Sequence, residues 1–312
     1  MAGRGSSLPL YALPLVGRAG LGNMLFPWAR AEIFAREHGA RMLAPNWAAF
    51  RLGPYLRREP ERRNYLRSFR APHHLRGVSR LIIPAFGNTV DENDFRDGRP
   101  VAPSSGRPVV VLFQGMGELF RPLLTAQDFI RAQLWAMTQG ELRATGAAYG
   151  DRFIAMHIRR GDLTRQGFTP EELLAVQQYT PISWFSSMAR MIRQCPELAD
   201  LPIVVFTDGS DDEVSEVLGH KNVQLHRRLG AIADMWTLAH ATLLFASGYS
   251  TFGMWASFLG RMPTVYAPGK LSQPVQAGAA EAMEIELAAE AEWPDHLRAR
   301  LAGSRSLARV VG

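Results

Sequence analysis

Six consecutive residues, His157-Ile158-Arg159-Arg160-Gly161-Asp162, carry the side chains most suited to chemistry in this chain. They follow the apolar run Phe153-Ile154-Ala155-Met156, which reads as a buried strand. A histidine and two arginines therefore emerge where a strand ends and a glycine lets the backbone turn. In an open α/β sheet, ligands collect outside the carboxyl ends of the strands. An arginine fork suits a diphosphate, because it donates bidentate hydrogen bonds and stays charged at any working pH. In so arginine-rich a chain, the plain alternative is an exposed Arg-Arg pair.

Two other segments place polar groups at strand ends. Asp208 follows the apolar run Ile203–Phe206, where its carboxylate could accept from a ribose or a base. Asp211 and Asp212 suit the first turn of the next helix, where acids favour the dipole. Ser247 to Phe252 leave a buried strand and enter a helix. Ser250 and Thr251 are good N-cap residues, and that alone would explain them. Alternatively, their hydroxyls and the helix N–H groups face a phosphate. On neighbouring parallel strands, the arginines, Asp208 and the Ser-Thr helix start would converge on one crevice.

Other site chemistries fit less well. Gly17, Gly20 and Gly22 are spaced G-x-x-G-x-G, not the G-x-G-x-x-G of a dinucleotide site, and no G-x-x-x-x-G-K-[ST] occurs. The strand–loop–helix context still turns N–H groups toward an anion, or simply needs glycine for a tight turn. No H-E-x-x-H or G-x-S-x-G is present. His73 and His74 have no ligand partner nearby in sequence, so no metal site is expected.

The elements that must hold these residues alternate. In the first half, a strand over Leu10 to Val16 leads through the glycine loop to a helix over Met24 to His38, with Pro27 in its first turn and Gly39 as C-cap. Strands are expected at Arg41–Leu43, Leu81–Phe86 and Val109–Phe113, and a helix over Ala126–Met137. Pro45 to Gly106 has no readable order. In the second half, strands are expected at Phe153–Met156, Ile203–Phe206, Val223–Leu225, Leu243–Ala246 and Thr264–Tyr266. Helices fit Pro181–Arg193, Asp211–Leu218, Ala231–Ala239 and Thr251–Leu259. The tail reads as helical over Ala279–Ala291 and again over Pro294–Leu301. This alternation implies parallel, doubly wound sheets.

A chain of 312 residues suits two domains, with the expected boundary near Gly146 to Gly150: 1–148 and 149–312. Hydrophobic residues at 47% and charged residues at 21% describe a soluble globular protein. The lone Cys195 excludes an intramolecular disulfide and fits a reducing compartment. Pro9 and Pro14 interrupt the only apolar N-terminal run, so no signal peptide is expected. Met235 to Gly260 contain no charged residue, but Ser247-Gly248-Tyr249-Ser250-Thr251 would break a membrane helix. The net charge of +6 rests almost wholly on arginine; only Lys221 and Lys270 are lysines. Such a bias with abundant alanine does not point to nucleic acid, though it favours anionic substrates or an anionic membrane face.

At these residues the sequence resembles the fucosyltransferase superfamily, and most nearly its α-1,2-fucosyltransferases. Gly20-Leu21-Gly22-Asn23-Met24-Leu25-Phe26 is similar to the family's opening G-L-G-N-Q-x-F. Leu112-Phe113-Gln114 through Phe120 is similar to its F-Q aromatic stretch, and His157 to Asp162 to its H-x-R-R-G-D motif. Phe206-Thr207-Asp208 and the segment from Asp234-Met235 to Leu259 complete the resemblance, with Gly253-Met254 standing where the family has an aromatic pair.

The resemblance implies a GT-B fold, two Rossmann-like domains facing across a cleft. It implies an inverting, metal-independent transfer of fucose from GDP-fucose to a glycan hydroxyl, with no other cofactor. Arg159 would meet the β-phosphate, with Arg160 beside it and Ser250, Thr251 and Phe252 around the diphosphate. His157 and Asp208 would hold the nucleoside side, and Asn23 would reach the sugar-phosphate from the N-terminal domain. Asp162 and Glu118 are the candidates for the base. The expected partners are a nucleotide sugar and a glycan acceptor, in the cytoplasm or, with a lipid-linked acceptor, at the inner membrane face. A GT-B transferase for another sugar nucleotide, or a non-catalytic carbohydrate-binding protein of the same fold, would share these features.

Overall fold

A computed structural model describes residues 9–17, 19–47, 64–98, 106–143, 149–161, 168–278 and 283–303. The chain divides into two compact units, 1–139 and 140–312.

The first unit is built on a parallel sheet of order β2-β1-β4-β3, made of β1 (Leu10–Leu15), β2 (Arg41–Met42), β3 (Asn88–Asp91) and β4 (Val109–Gln114). Helix α1 (Leu21–His38) follows β1 and ends where Gly39 adopts the left-handed conformation, with φ of 65°. It begins three residues earlier than its pattern suggests, so Pro27 lies inside the helix and not in its first turn. The cost of the missing N–H is offset by burial: Met24, Leu25, Phe26, Trp28 and Ala29 are wholly inaccessible. The apolar run Leu81–Phe86 is helical, not extended; α2 spans Val78–Phe86. The place beside β4 that it would have filled belongs to β3, which pairs Asn88 to Asp91 with Val109 to Leu112. Short α3 (Glu92–Arg96), a 3₁₀ helix over Arg121–Ala126 and α4 (Gln127–Met137) follow among the described residues.

The second unit contains β5 (Ile154–Ile158), β6 (Ile203–Thr207), β7 (Val223–Leu225), β8 (Leu243–Ala246), β9 (Thr264–Tyr266) and β10 (Glu284–Glu286). They form one parallel sheet of order β10-β9-β8-β5-β6-β7. Counted from β5, this is the 3-2-1-4-5-6 order of a dinucleotide-type doubly wound sheet, and the order reverses between β5 and β8. Its helices are α5 (Gly140–Arg143), α6 (Pro170–Ala175), α7 (Ile182–Gln194), α8 (Ser215–Leu218), α9 (Ala231–Ala239), α10 (Thr251–Gly260) and α11 (Asp295–Gly303).

Strand alternation fills both faces. Ile154, Met156 and Ile158 share one core with Phe185, Met188 and Ile192 of α7. Phe153, Ala155 and Val204 share the other with Leu238 of α9 and Ala256 of α10. The uncharged run Met235–Gly260 resolves into most of α9, then β8 and α10, and no helix among the described residues is long and apolar enough to cross a membrane.

The tail corrects one expectation. Residues 284–286 of the supposed helix Ala279–Ala291 are the edge strand β10, laddered onto Thr264 to Tyr266. Side-chain chemistry explains the switch. Glu284 is buried and accepts from the Val275 and Gln276 N–H groups at 2.8 and 3.1 Å, bonds available only at this edge. Burial also pushes its carboxyl above the usual carboxylate range.

Candidate functional site

The crevice where strand order reverses is formed by the carboxyl ends of β5, β6 and β8. Strand β5 runs further than its sequence suggests. His157 is not at a strand end but inside the ladder, between Phe206 of β6 and Ala246 of β8. The reason is that both neighbours continue to offer backbone partners at this level. The imidazole is buried and stacks on Phe252, with centroids 5.5 Å apart and planes 25° apart. Burial is the main cause that drives its pKa down to about 4; Asp208 opposes the shift and Arg159 adds to it. The ring is thus neutral at pH 7. Gly253 is required here, because a Cβ would stand 2.9 Å from His157 Nδ1.

Beyond Ile158 the loop is tied to both neighbouring strands. The Arg159 N–H donates to Ser247 Oγ after β8, at 2.9 Å. The Arg160 N–H donates to Asp208 Oδ1 after β6, at 2.7 Å. Gly161, with φ of 30°, packs so closely on the Asp208 carboxylate that a Cβ would collide with it.

The two arginine side chains part company. Arg159 Nε lies 3.3 Å from Asp208 Oδ2, with side-chain exposures of 34% and 41%. Arg160 turns inward: it is 2% exposed, donates from Nη1 to the Arg159 carbonyl at 2.8 Å and lies over the Tyr179 ring, 4.8 Å from its centroid. The expected two-arginine fork is therefore split. Arg159 faces the crevice edge, while Arg160 braces the loop from beneath. The charge on Arg160 is carried in burial that lowers its pKa, against the attraction of Tyr179, Glu213 and Asp208.

The turn after β8 is tight. The Ser247 N–H donates to the His157 carbonyl at 3.0 Å. At Gly248 a Cβ would stand 2.7 Å from Lys270 Cβ. Tyr249 takes a left-handed backbone, with φ of 51°, a strained state for a residue with a ring. Ser250 then occupies the N-cap of α10 with φ −85° and ψ 105°, yet its side chain makes no capping bond. Its hydroxyl is buried and without a hydrogen-bond partner among the described residues. So are His157 Nδ1 and Arg160 Nη2. Such atoms at the crevice, and beneath its loop, call for an explanation, since an unpaired buried polar group costs about 1–3 kcal/mol.

Thr251 opens α10 and Phe252 follows it onto the His157 ring. Asp208 is committed to the two arginines, which its sequence position alone does not reveal. Asp162 lies outside the described residues. Asn23 is the third residue of α1, in the first unit, with its N–H donating to the Gly20 carbonyl at 3.1 Å. Glu118, also in the first unit, is exposed and pairs with Arg121 at 3.1 Å. Sequence reasoning passed over Tyr179, because nothing near it in the chain marks it as the seat of Arg160.

No protein-family model matches the chain, and no curated protein matches it. Solved structures do. POFUT1 in complex with GDP superposes with a TM-score of 0.55 at 12% identity, over 83% of this chain and 98% of that one. POFUT1 in complex with GDP-fucose gives 0.54 at 11% identity, over 82% and 97%. The NodZ alpha-1,6-fucosyltransferase soaked with GDP-fucose gives 0.52 at 16% identity, over 86% and 98%. The α/β fold with parallel sheets is the fold of these fucosyltransferases.

Proposed function

We propose that this chain is a glycosyltransferase of the GT-B architecture that moves fucose from GDP-fucose to a glycan hydroxyl, with inversion at the anomeric carbon. One observation carries the reading. Arg159, the N-terminus of α10 and the Ser250 hydroxyl, which has no hydrogen-bond partner among the described residues, lie where the strand order of the second unit reverses. The likeness to POFUT1 in complex with GDP and with GDP-fucose supports it.

The chemistry suits the residues. Cleavage of the bond between C1 and the β-phosphate oxygen leaves negative charge on the phosphate while the sugar becomes oxocarbenium-like. Fixed donors aimed at that charge commonly supply the largest single catalytic contribution. Arg159 meets the β-phosphate. The Ser250 and Thr251 hydroxyls and the first N–H groups of α10 surround the diphosphate, so no cation is needed there. Asp208 and neutral His157, backed by Phe252, lie on the nucleoside side. Asn23 serves the sugar-phosphate, and Asp162 takes the proton of the acceptor hydroxyl. An α-1,2 linkage is the reading that the motif similarity favours.

A thermal-shift panel of GDP, UDP and ADP, with the corresponding sugar nucleotides, tests this. GDP and GDP-fucose should raise the melting temperature most. A hundredfold excess over the dissociation constant corresponds to about 2.7 kcal/mol of added stability. Equal shifts, or none, would exclude GDP; a larger shift with another sugar nucleotide would assign that donor instead.

A further inference from the structure

The first unit holds a cluster that the proposed transfer does not use. His73 and His74 come together with Glu32 of α1, so that one ligand-type atom from each lies within 4.8 Å of the others. We propose that His73, His74 and Glu32 form a binding site for a borderline divalent cation, Zn²⁺ in the first place.

Geometry supports the choice. Zinc–ligand bonds of about 2.0–2.2 Å in a tetrahedron hold neighbouring ligand atoms about 3.4 Å apart. Here Glu32 Oε1 is 2.7 Å from His74 Nε2 and 4.0 Å from His73 Nε2, distances on either side of that value. A cation seated between them draws the exposed His73 ring inward and parts Glu32 from His74, all three ligand atoms lying within 4.8 Å of one another before it binds. Two imidazoles and one carboxylate are a donor set that zinc favours over magnesium or calcium, which prefer oxygen alone.

The backbone presents the two histidines rigidly. Upstream, the Arg70 N–H donates to the Met137 carbonyl at 2.6 Å, and Phe69 bridges Thr138. Downstream, the Leu75 N–H donates to the Met42 carbonyl at 2.9 Å. On α1, Glu32 is held one turn from Trp28, whose indole N–H donates to Oε1 at 3.0 Å. That contact is the kind that orients a ligating carboxylate. Glu32 and His74 are almost wholly buried, whereas the His73 side chain is 52% exposed.

The site also has an open side. Glu32 and His73 line a cleft of about 400 Å³ shared with Arg36, Arg41 and Phe129. Three protein ligands with a fourth position facing solvent is the pattern of an accessible zinc site. Without the cation, the Glu32 carboxylate and His74 ring share a hydrogen bond of 2.7 Å; with it, the metal stands in place of that bond.

The test uses the full chain, stripped with EDTA and desalted. Added Zn²⁺ should be retained at one equivalent after desalting, with micromolar or tighter affinity, and should raise the melting temperature. His73→Ala should weaken retention at least tenfold, while exposed His296→Ala should leave it unchanged. Should the alanine variant fail to fold, His73→Gln and the visible spectrum of the Co²⁺-loaded native chain decide, intense tetrahedral bands being expected. No retained metal, retention that survives loss of His73, or a weak octahedral Co²⁺ spectrum would each overturn the proposal. The thermal response to GDP belongs to the other unit and should be the same in His73→Ala, so the two readings fail separately.

Discussion

The Asp208 carboxylate joins both arginines of the loop after β5: Oδ1 accepts the Arg160 N–H at 2.7 Å and Oδ2 faces Arg159 Nε at 3.3 Å. One side chain thereby fixes the ends of two adjacent strands and aims a guanidinium. Asp208→Ala should lower stability by about 1–3 kcal/mol, because the Arg160 N–H loses its acceptor. Asp208→Asn keeps an acceptor oxygen and should recover most of that loss without restoring transfer. Urea midpoints and initial rates for both variants check this; full activity in Asp208→Asn would mean that its charge does not matter.

The two arginines should separate in their effects. Arg159→Lys keeps the charge but loses the planar fork, and should slow transfer a hundredfold or more, about 2.7–4 kcal/mol, with little change in melting temperature. Arg160→Ala should instead lower stability by about 2–4 kcal/mol, through lost contact with Tyr179 and the Arg159 carbonyl. A reversal of the two patterns, read from melting curves and kcat, would exchange the roles assigned to them.

Acid should weaken the second unit through His157. Its unfolded imidazole titrates near 6.5 and its folded one near about 4, so between those values only the unfolded chain takes up the proton. The stability it secures is complete above pH 6.5, is lost as pH falls toward about 4 and changes no further below. The loss is on the order of 3 kcal/mol. His157→Gln should flatten this part of the stability profile; an unchanged slope between pH 7 and 4.5 would rule the imidazole out as its source.

Gly253→Ala should be costly despite helix propensity, since the new methyl would stand 2.9 Å from His157 Nδ1. We expect a loss of about 1–3 kcal/mol and weaker nucleotide binding as the ring is displaced from Phe252. Combining it with His157→Ala should relieve part of the loss, a coupling that a double-mutant cycle measures.

Much of the second unit was legible because its central strands, Ile154–Ile158 and Leu243–Ala246 among them, are buried on both faces. Leu243–Ala246 and Thr264–Tyr266 end where their apolar runs meet polar or glycine turns, and the edge strand Val223–Leu225, with Gln224 exposed, ends before His226-Arg227-Arg228. Leu81–Phe86 was not legible, because a short apolar run fits either a strand or a helix, and the neighbouring Asn88–Asp91 took the ladder. The tail failed for the opposite reason: helix-favouring residues yielded to a free sheet edge and to the N–H groups that Glu284 satisfies. At the crevice, the residue types were readable but their division of labour was not. Which arginine turns inward depends on Tyr179, and Glu32 meets His74 only because α1 and a distant loop pack together.

The central position of β5 sets an order of events as the chain is made. Its neighbour β6 starts at Ile203, but its other neighbour β8 starts only at Leu243, roughly 90 residues after β5 begins. At about 5–20 residues per second, the ribosome leaves one side of β5 unpaired for on the order of ten seconds. Until Ser247 emerges, the Arg159 N–H has no hydroxyl to receive it. An open apolar edge of this kind invites wrong strand pairing, so the hazard of misassembly is concentrated in the interval between synthesis of Thr207 and synthesis of Ser247.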